Sequence, residues 1–426
     1  MQSISQDLNN PDHLSNFFPG AKLIGNAVDD IPSFKELHAN FDANGVAGEI
    51  LPLGMPMIQT VSGVREAYQN LDYDLIKQME NVASQDLNYV FQNMHSQGMN
   101  AFRRIELNGK PYYATWTNSG MVWSCTESVT PLLDPNLKYS AVVQFGTYSA
   151  NTKIAGISRY NLKLPDMLVE SVIASAFVKL FSGFVVEGLG FVASAFAARL
   201  GSILATWGIE LTITMPEIVL PIIAACIVFT IVFVGLSYLW NWMNKRYTFR
   251  TQVFNWDQNN IWGASGQYCD NAVMPGQDGN SLGFSLPKML PPGTVITPPG
   301  FGPNTTLDTV VSYAVLIYCN DSTFLRGNAM SVKFKLENGD TVGEDGFMWV
   351  FNNPRFNDNQ MVILSGVQDP QAAFTQVYEN NLWDPNPIRV KKPVSQNNNN
   401  LTYGVDYLSG APDDLYNIII NINPPY

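Results

Sequence analysis

The chain has 426 residues, with 24 Lys or Arg against 36 Asp or Glu, so its formal net charge is -12. This length allows two or three domains and a large hydrophobic core. The acidic balance argues against nucleic-acid binding, because that binding needs clustered cations to displace counterions from phosphates.

The first hundred residues are predicted to form an N-terminal arm followed by helices. Residues 1–31 are polar and rich in Pro, Gly and Asn, which favours an irregular arm. Ser33 and Glu36 have the spacing of a capping box at a helix start. Apolar residues then recur at helical spacing across Val64–Met94. This first region is predicted to span residues 1–100.

The N-terminal sequence lacks a basic stretch followed by an apolar one. We therefore predict no secretory signal, synthesis in the cytoplasm, and release by another route to act at a target cell membrane.

From Ala101 onward, apolar residues recur at every second position instead of at helical spacing, which indicates β-strands. Asn108-Gly109 stands between β-prone runs and is the strongest short signal for a hairpin. Residues 101–165 are predicted to form the first strands of a β body, and residues 247–426 the remaining ones. The final apolar run, Tyr416–Asn423, is predicted to close the sheet.

An uncharged run occupies the middle of the chain. It comprises the twenty-seven residues between Glu217 and Lys245. A membrane-spanning helix needs about 20 apolar residues, so the run is long enough to cross a bilayer. It ends with Trp240 and Trp242 ahead of two cations, a combination typical of the membrane–water interface.

The stretch before it, Met167–Trp207, is also mostly apolar but is interrupted by Glu170, Lys179, Glu187 and Arg199. An unpaired charge is costly in lipid, so this stretch is predicted to form one or two amphipathic or interfacial helices. With the uncharged run it would form a hairpin with one fully apolar arm.

The predicted fold class is α+β: a β-sandwich-like body with a helical N-terminal region and an apolar helical hairpin inserted at residues 166–246. Three interpretations of the insertion remain: a hairpin buried in a large core, a permanent single-pass anchor, and a stowed hairpin released into a membrane. The third is favoured because an anchor would separate the flanking strands by a bilayer.

The residues predicted to enter the membrane are Ile218, Val219, Ile222, Ile223, Ile227, Val228, Phe229, Ile231, Val232, Phe233, Trp240 and Trp242. The residues predicted to form the apolar stripe of the first arm are Val169, Ile173, Phe177, Leu180 and Phe184.

The character of residues 166–246 and the missing signal peptide resemble those of α-helical pore-forming toxins. The resemblance implies a protein that is soluble until an apolar segment enters the target membrane. It implies a lipid membrane as partner, assembly into a homo-oligomer there, and a glycan or protein receptor. The long heptad-rich helices of rod-shaped members are not evident, which favours a compact body.

No motif nominates a nucleophile, a catalytic base, a cofactor site or a metal site, so we predict neither an enzyme nor a cofactor. The acidic loop Glu337–Gly346 could hold calcium, although a solvated hairpin is the more typical explanation. Cys269 and Cys319 could form a disulfide, which the spacing does not decide.

Two alternatives to a toxin remain. The apolar block could form a subunit interface in a structural or adhesive assembly. The aromatic loops Phe254–Trp262 and Trp383–Pro387 could instead bind sugars by stacking, as in a lectin-like module.

Overall fold

The computed structural model describes residues 8–30, 46–52, 57–60, 62–129, 139–164, 209–212, 248–273, 282–293, 309–320, 326–337, 345–394 and 399–424. These residues contain four α-helices and twenty β-strands arranged in two sheets. The helices are α1 (Pro11–Phe17), α2 (Ser62–Asn70), α3 (Tyr73–Gln97) and α4 (Pro370–Asn380). The first ten strands are β1 (Lys22–Asn26), β2 (Val46–Pro52), β3 (Met57–Thr60), β4 (Arg103–Leu107), β5 (Lys110–Trp116), β6 (Gly120–Val129), β7 (Tyr139–Ser149), β8 (Ile154–Leu164), β9 (Ile209–Thr212) and β10 (Thr248–Asn255). The other ten are β11 (Trp262–Asp270), β12 (Ala272–Val273), β13 (Gly283–Leu286), β14 (Thr309–Asn320), β15 (Asn328–Leu336), β16 (Gly346–Asn353), β17 (Gln360–Ser365), β18 (Val390–Val394), β19 (Asn399–Val405) and β20 (Leu415–Ile422).

The predicted fold class is wrong, because the described chain is mostly β-sheet and contains no apolar helical hairpin within the described ranges. Most of residues 166–246 lies outside the described residues. The exception, β9, is a strand that pairs with β2. The helical prediction for this block relied on its apolar content, whereas strand formation depends on pairing partners far along the chain.

Within the described residues, no helix is both long enough and apolar enough to cross a lipid bilayer.

The larger sheet has fifteen strands, and its first half is an antiparallel meander from β4 to β8 with β1 at its edge. Strands β4 and β5 pair antiparallel around Asn108-Gly109, which confirms the predicted hairpin. Both turn residues have positive φ, +53° and +76°. Such angles suit the right-handed twist of the flanking strands, and Asn and Gly adopt them at the lowest steric cost.

The second half of the larger sheet forms a sandwich with the smaller sheet. Its strand order is β14, β10, β20, β19 and β18, and it lies over the five strands β13, β11, β15, β16 and β17. The two inner faces share an apolar core that includes Phe249, Val253, Trp349, Phe351 and Ile420. The predicted β-sandwich-like body is therefore present.

Strand β20 does not close the sheet as predicted. It pairs parallel with β10 on one side and antiparallel with β19 on the other, so it lies inside the sheet. Ile418, Ile419 and Ile420 are all fully buried, although they point alternately to opposite faces. A strand that is apolar on both faces belongs in a sheet interior covered on both sides.

Helices α2 and α3 cover the face of the larger sheet that points away from the sandwich core. The predicted helical region Val64–Met94 is confirmed, but it consists of two helices. They are separated at Leu71, whose φ is +57°. The side chain of Asp72 then caps α3 by accepting a hydrogen bond from the backbone N–H of Leu75 at 3.1 Å. On the remaining faces, α1 packs against β4 to β6 and α4 against the outer face of the smaller sheet.

The predicted capping box at Ser33 and Glu36 and most of the predicted loop Glu337–Gly346 lie outside the described residues.

Candidate functional site

The residues predicted to enter the membrane, from Ile218 to Trp242, all lie outside the described part of the chain. The same holds for the first-arm residues from Val169 to Phe184. Both sets therefore stay predictions. The structure does describe the strands to which these segments are attached.

The attachment strands β8, β9 and β10 all belong to the larger sheet. Residues 165–208 therefore leave and re-enter one sheet, and so do residues 213–247. A permanent single-pass anchor between β9 and β10 would separate these strands by a hydrocarbon layer about 30 Å thick. Two strands of one sheet are incompatible with that separation.

Strand β9 is held by a short ladder. Among the described strands it pairs only with β2, in parallel, over the four residues from Ile209 to Thr212. Segments with few backbone hydrogen bonds open at lower free energy than the rest of a fold. The β2–β9 ladder should therefore open more easily than the rest of the sheet. It lies between the two long segments 165–208 and 213–247.

Strand β10, in contrast, is held on both sides. Its eight residues pair with β14 and with β20 along their whole length, and all eight are buried. Segment 213–247 thus returns to one of the most firmly paired strands that the structure describes.

The end of the sandwich at which β10 begins carries an exposed aromatic side chain. Thr248 pairs with Leu415, the first residue of β20. The loop before β20 is bonded to the β16–β17 loop, where the backbone N–H of Asn359 donates to the carbonyl oxygen of Leu408 at 2.6 Å. In that β16–β17 loop Phe356 is 84% exposed, and the guanidinium carbon of Arg355 lies 5.1 Å from its ring centroid. An exposed apolar ring can enter the acyl boundary of a bilayer while a neighbouring cation stays at the headgroups.

A buried ion pair joins β10 to α3. Nη2 of Arg250 lies 3.0 and 3.2 Å from the two carboxylate oxygens of Glu80, and Nε2 of Gln252 lies 3.5 Å from one of them. Arg250 and Glu80 are only 3% and 8% exposed. Burial lowers the pKa of Arg250, but the charge and hydrogen bonds of Glu80 outweigh it and the pKa stands above its usual value.

This polar cluster is only partly satisfied. Among the described residues, the side-chain atoms without a hydrogen-bond partner include Nε and Nη1 of Arg250, the hydroxyl of Tyr68, Oε1 of Gln252 and Oδ1 of Asn417. Burial and the charge of Glu80 raise the pKa of Tyr68 well above its ordinary value, so its hydroxyl stays protonated. A network with open donors and acceptors in a low dielectric stabilises less than a complete one.

The sequence of α3 contains a signal for this cluster that the predictions above do not include. Ile76, Glu80, Ala83 and Leu87 follow one another at helical spacings, and all four are buried. A carboxylate in such a stripe needs a buried cation, which Arg250 provides from 170 residues along the chain.

The sugar-stacking interpretation is not supported at the first aromatic loop. Trp256 and Trp262 are 1% and 0% exposed, so neither offers a face to a ligand. The indole N–H of Trp256 donates to Oδ1 of Asn421 at 2.8 Å, and that of Trp262 lies 3.4 Å from Asp257. Trp383 in the second loop is half-buried and packs against the cluster under α4.

No metal-binding group is found among the described residues, meaning no cluster of three or more His, Cys, Asp and Glu side chains. From the predicted acidic loop, the described Glu337 accepts a hydrogen bond from the hydroxyl of Ser285. Cys269 and Cys319 are not joined by a disulfide. Burial raises the pKa of the Cys269 thiol to about 12, which leaves it protonated at neutral pH.

No protein-family model and no curated protein sequence matches this chain.

Proposed function

We propose that this protein permeabilises lipid membranes and that the uncharged run Ile218–Asn244 is the segment that enters the bilayer. The observation that carries the proposal is that β8, β9 and β10, which flank the two long segments 165–208 and 213–247, are strands of one sheet. Because these strands share one sheet, both ends of each segment stay on the same side of any membrane that the segment enters. The uncharged run supplies the apolar side chains that such an action requires.

Opening of the β2–β9 ladder is the step that we expect to precede insertion. Loss of this four-residue pairing would join residues 165–208 and 213–247 into one continuous stretch. Strand β8 would keep its pairing with β7, and β10 would keep both of its neighbours. The body could therefore stay folded while the segment moves.

The end of the sandwich that carries Phe356 is the face that we expect to approach the membrane. The segment joins β10 at this end, where the exposed ring of Phe356 could enter the acyl boundary while Arg355 stays at the headgroups. A single copy of the segment is too small to surround an aqueous pore, so we expect a homo-oligomer on the membrane. A glycan or protein receptor remains an expectation from the sequence.

Dye release from lipid vesicles tests the proposal. The purified full chain is expected to release an entrapped dye. A variant in which residues 213–247 are replaced by a short Gly/Ser linker is expected to keep a cooperative thermal unfolding transition and to release none. Absence of leakage across several lipid compositions, pH values and protease treatments would reject the function.

A disulfide lock tests the opening step separately. Ala47 and Glu210 are partners in the β2–β9 ladder, so Ala47→Cys with Glu210→Cys in a background without native cysteines should cross-link them. Leakage should stop under oxidation and return after reduction. The matched control is Lys22→Cys with Glu106→Cys, an exposed pair in the β1–β4 ladder.

Locking that control pair should leave leakage unchanged. Unchanged leakage with Ala47 locked to Glu210 would contradict the opening step. Large ordered assemblies that contact one another through Ile218–Trp240, without leakage, would favour the assembly alternative.

A further inference from the structure

A polar cleft of about 440 Å³ lies between α2 and the β18 edge of the larger sheet. Its volume falls within the range of roughly 300–1,000 Å³ that small-molecule sites occupy. Helix α2 and strands β18 and β19 supply the side chains that carry the argument, namely Arg65, Glu66, Gln69, Asn70, Lys391 and Thr402.

The cleft is cationic although the whole chain is acidic. Among the described residues that line it, Arg65 and Lys391 are cationic and Glu66 alone is acidic. Arg389 adds a further cation beside it, because its Nη2 donates to Oδ1 of Asn70 at 3.0 Å. In a chain of net charge -12, such a local excess of cations attracts anions to one place.

The cations are positioned by the fold. Lys391 and Thr402 are direct partners in the antiparallel β18–β19 ladder, so their side chains leave the same face of the sheet. Arg65 is fixed from the other wall, because its Nη1 donates to the hydroxyl of Thr309 at 2.6 Å. That bond uses one of the five N–H donors of the guanidinium.

An amide on the cleft wall has an unused donor. Nε2 of Gln69 is buried and has no hydrogen-bond partner among the described residues. The last torsion of a Gln side chain turns readily, so this amide can rotate toward a molecule in the cleft. An acceptor supplied by a ligand would satisfy the donor, which the fold itself leaves open.

We propose that this cleft binds a small polar molecule through a phosphate group. Arg65 and Lys391 hold the phosphate, and the Glu66 carboxylate accepts a hydrogen bond from a hydroxyl or amino group elsewhere on the ligand. The cleft is larger than a bare phosphate, which leaves room for that second group. This site goes beyond the proposed membrane activity and does not depend on it.

The same chemistry occurs in free phosphate esters and in phospholipid headgroups. Calorimetric titration with glycerol 3-phosphate, using glycerol as the uncharged control, tests the soluble source. Cosedimentation with vesicles that contain phosphatidylglycerol, against vesicles of phosphatidylcholine alone, tests the lipid source. Binding that depends on Lys391 in either assay supports the site. The assay in which it occurs shows whether the phosphate belongs to a soluble ester or to a lipid headgroup.

Charge-neutralising variants test the assignment. Lys391→Gln changes an exposed residue and should weaken glycerol 3-phosphate binding about tenfold, as expected for loss of one charge-assisted hydrogen bond. Glu66→Gln should weaken glycerol 3-phosphate binding by about two- to fivefold, because a neutral amide oxygen accepts a weaker hydrogen bond from the ligand hydroxyl than a carboxylate does. Lys288→Gln makes the same charge change at an exposed position outside the cleft lining, and binding should stay within about twofold.

Thermal unfolding of each variant shows whether it remains folded. No saturable binding of glycerol 3-phosphate together with no preference for phosphatidylglycerol would overturn the proposal. Equal losses for Lys391→Gln and Lys288→Gln would also overturn it, because the effect would then belong to the overall charge of the protein.

Discussion

The two faces of strand β10 differ in polarity, because both contribute to apolar clusters but only one of them also carries a buried ion pair. Phe249 and Val253 point into the apolar core between the two sheets. Arg250 and Gln252, the alternate residues, point toward α3, where Glu80 pairs with the arginine. Because side chains alternate along a strand, one eight-residue segment contributes to an apolar core and to a polar cluster at the same time.

Buried residues of one strand can therefore lie in surroundings of different polarity. The sandwich face is stabilised by apolar area and aromatic contacts, such as that of Phe249 with Phe351 at 4.9 Å between ring centroids. The helix-covered face combines an apolar cluster, to which Phe254 of β10 belongs, with a buried ion pair whose neighbours leave several polar atoms unpartnered among the described residues. The second face is therefore more sensitive to the loss of one charge.

Removal of Glu80 should have the largest effect. Glu80→Ala leaves Arg250 buried without its counter-ion, and we expect a loss of about 3–5 kcal/mol in the free energy of unfolding. Urea denaturation measures it. The same substitution at the exposed Glu379 should change stability by less than about 0.5 kcal/mol.

A double variant separates pair loss from charge burial. Glu80→Leu with Arg250→Met replaces both charges with apolar side chains and should be clearly more stable than Glu80→Ala alone. If the double variant is as unstable as the single one, the cost does not come from an unpaired buried charge.

A Val→Thr substitution on each face of the larger sheet should change the free energy of unfolding by less than Glu80→Ala does. Val253→Thr introduces a hydroxyl into the apolar core and should cost about 1–3 kcal/mol, because the core offers no partner. Val315 lies directly opposite Gln252 in the β10–β14 ladder, and Oε1 of Gln252 lacks a partner among the described residues. Val315→Thr can donate to that oxygen, so it should cost less than half as much in urea denaturation. Equal costs would show that the polar face does not accept a new donor.

Asp257, just beyond β10, is a second polar group of this region, and its carboxylate accepts several hydrogen bonds. Burial raises the pKa of its carboxyl, but hydrogen bonds from Asn260, Asn259, Asn423 and Trp262 together outweigh burial and lower the pKa below its ordinary value. A carboxyl whose folded-state pKa is lowered stabilises the fold above its unfolded-state pKa, near 3.9. That stabilisation is lost as the pH falls through the folded-state value.

Asp257→Asn should therefore destabilise the protein at pH 7. The difference from the wild type should shrink as the pH falls from about 5 to below 4. Urea midpoints measured across this range check the expectation, and the exposed Asp358→Asn serves as the control. A difference that is constant with pH would show that the hydrogen bonds do not depend on the charge of Asp257.

Local signals in the sequence predicted several elements correctly. The hairpin at Asn108-Gly109 depends on two adjacent residues that adopt positive φ, and the helices in Val64–Met94 depend on spacing within each helix. These elements are encoded by residues close together in the chain. The break at Leu71 was missed because a single left-handed residue leaves the apolar period almost unchanged.

The fold class and the polar cluster could not be predicted in the same way. The link between the two apolar arms, residues 208–217, contains a short β-prone stretch, but only the structure shows that β9 within it pairs with β2. Trp256 and Trp262 looked available for a ligand, yet the surrounding strands bury both.

The sequence by itself determined the acidic charge, the uncharged run Ile218–Asn244, the alternating apolar pattern of the strands and the local turns. Each of these depends on composition or on neighbouring residues. Only the tertiary structure decided that β8, β9 and β10 share one sheet, that β20 lies inside it, and that Arg250 meets Glu80. The physical reason is that strand partners and buried ion pairs are chosen by complementary surfaces far apart in the chain, where spacing carries no information.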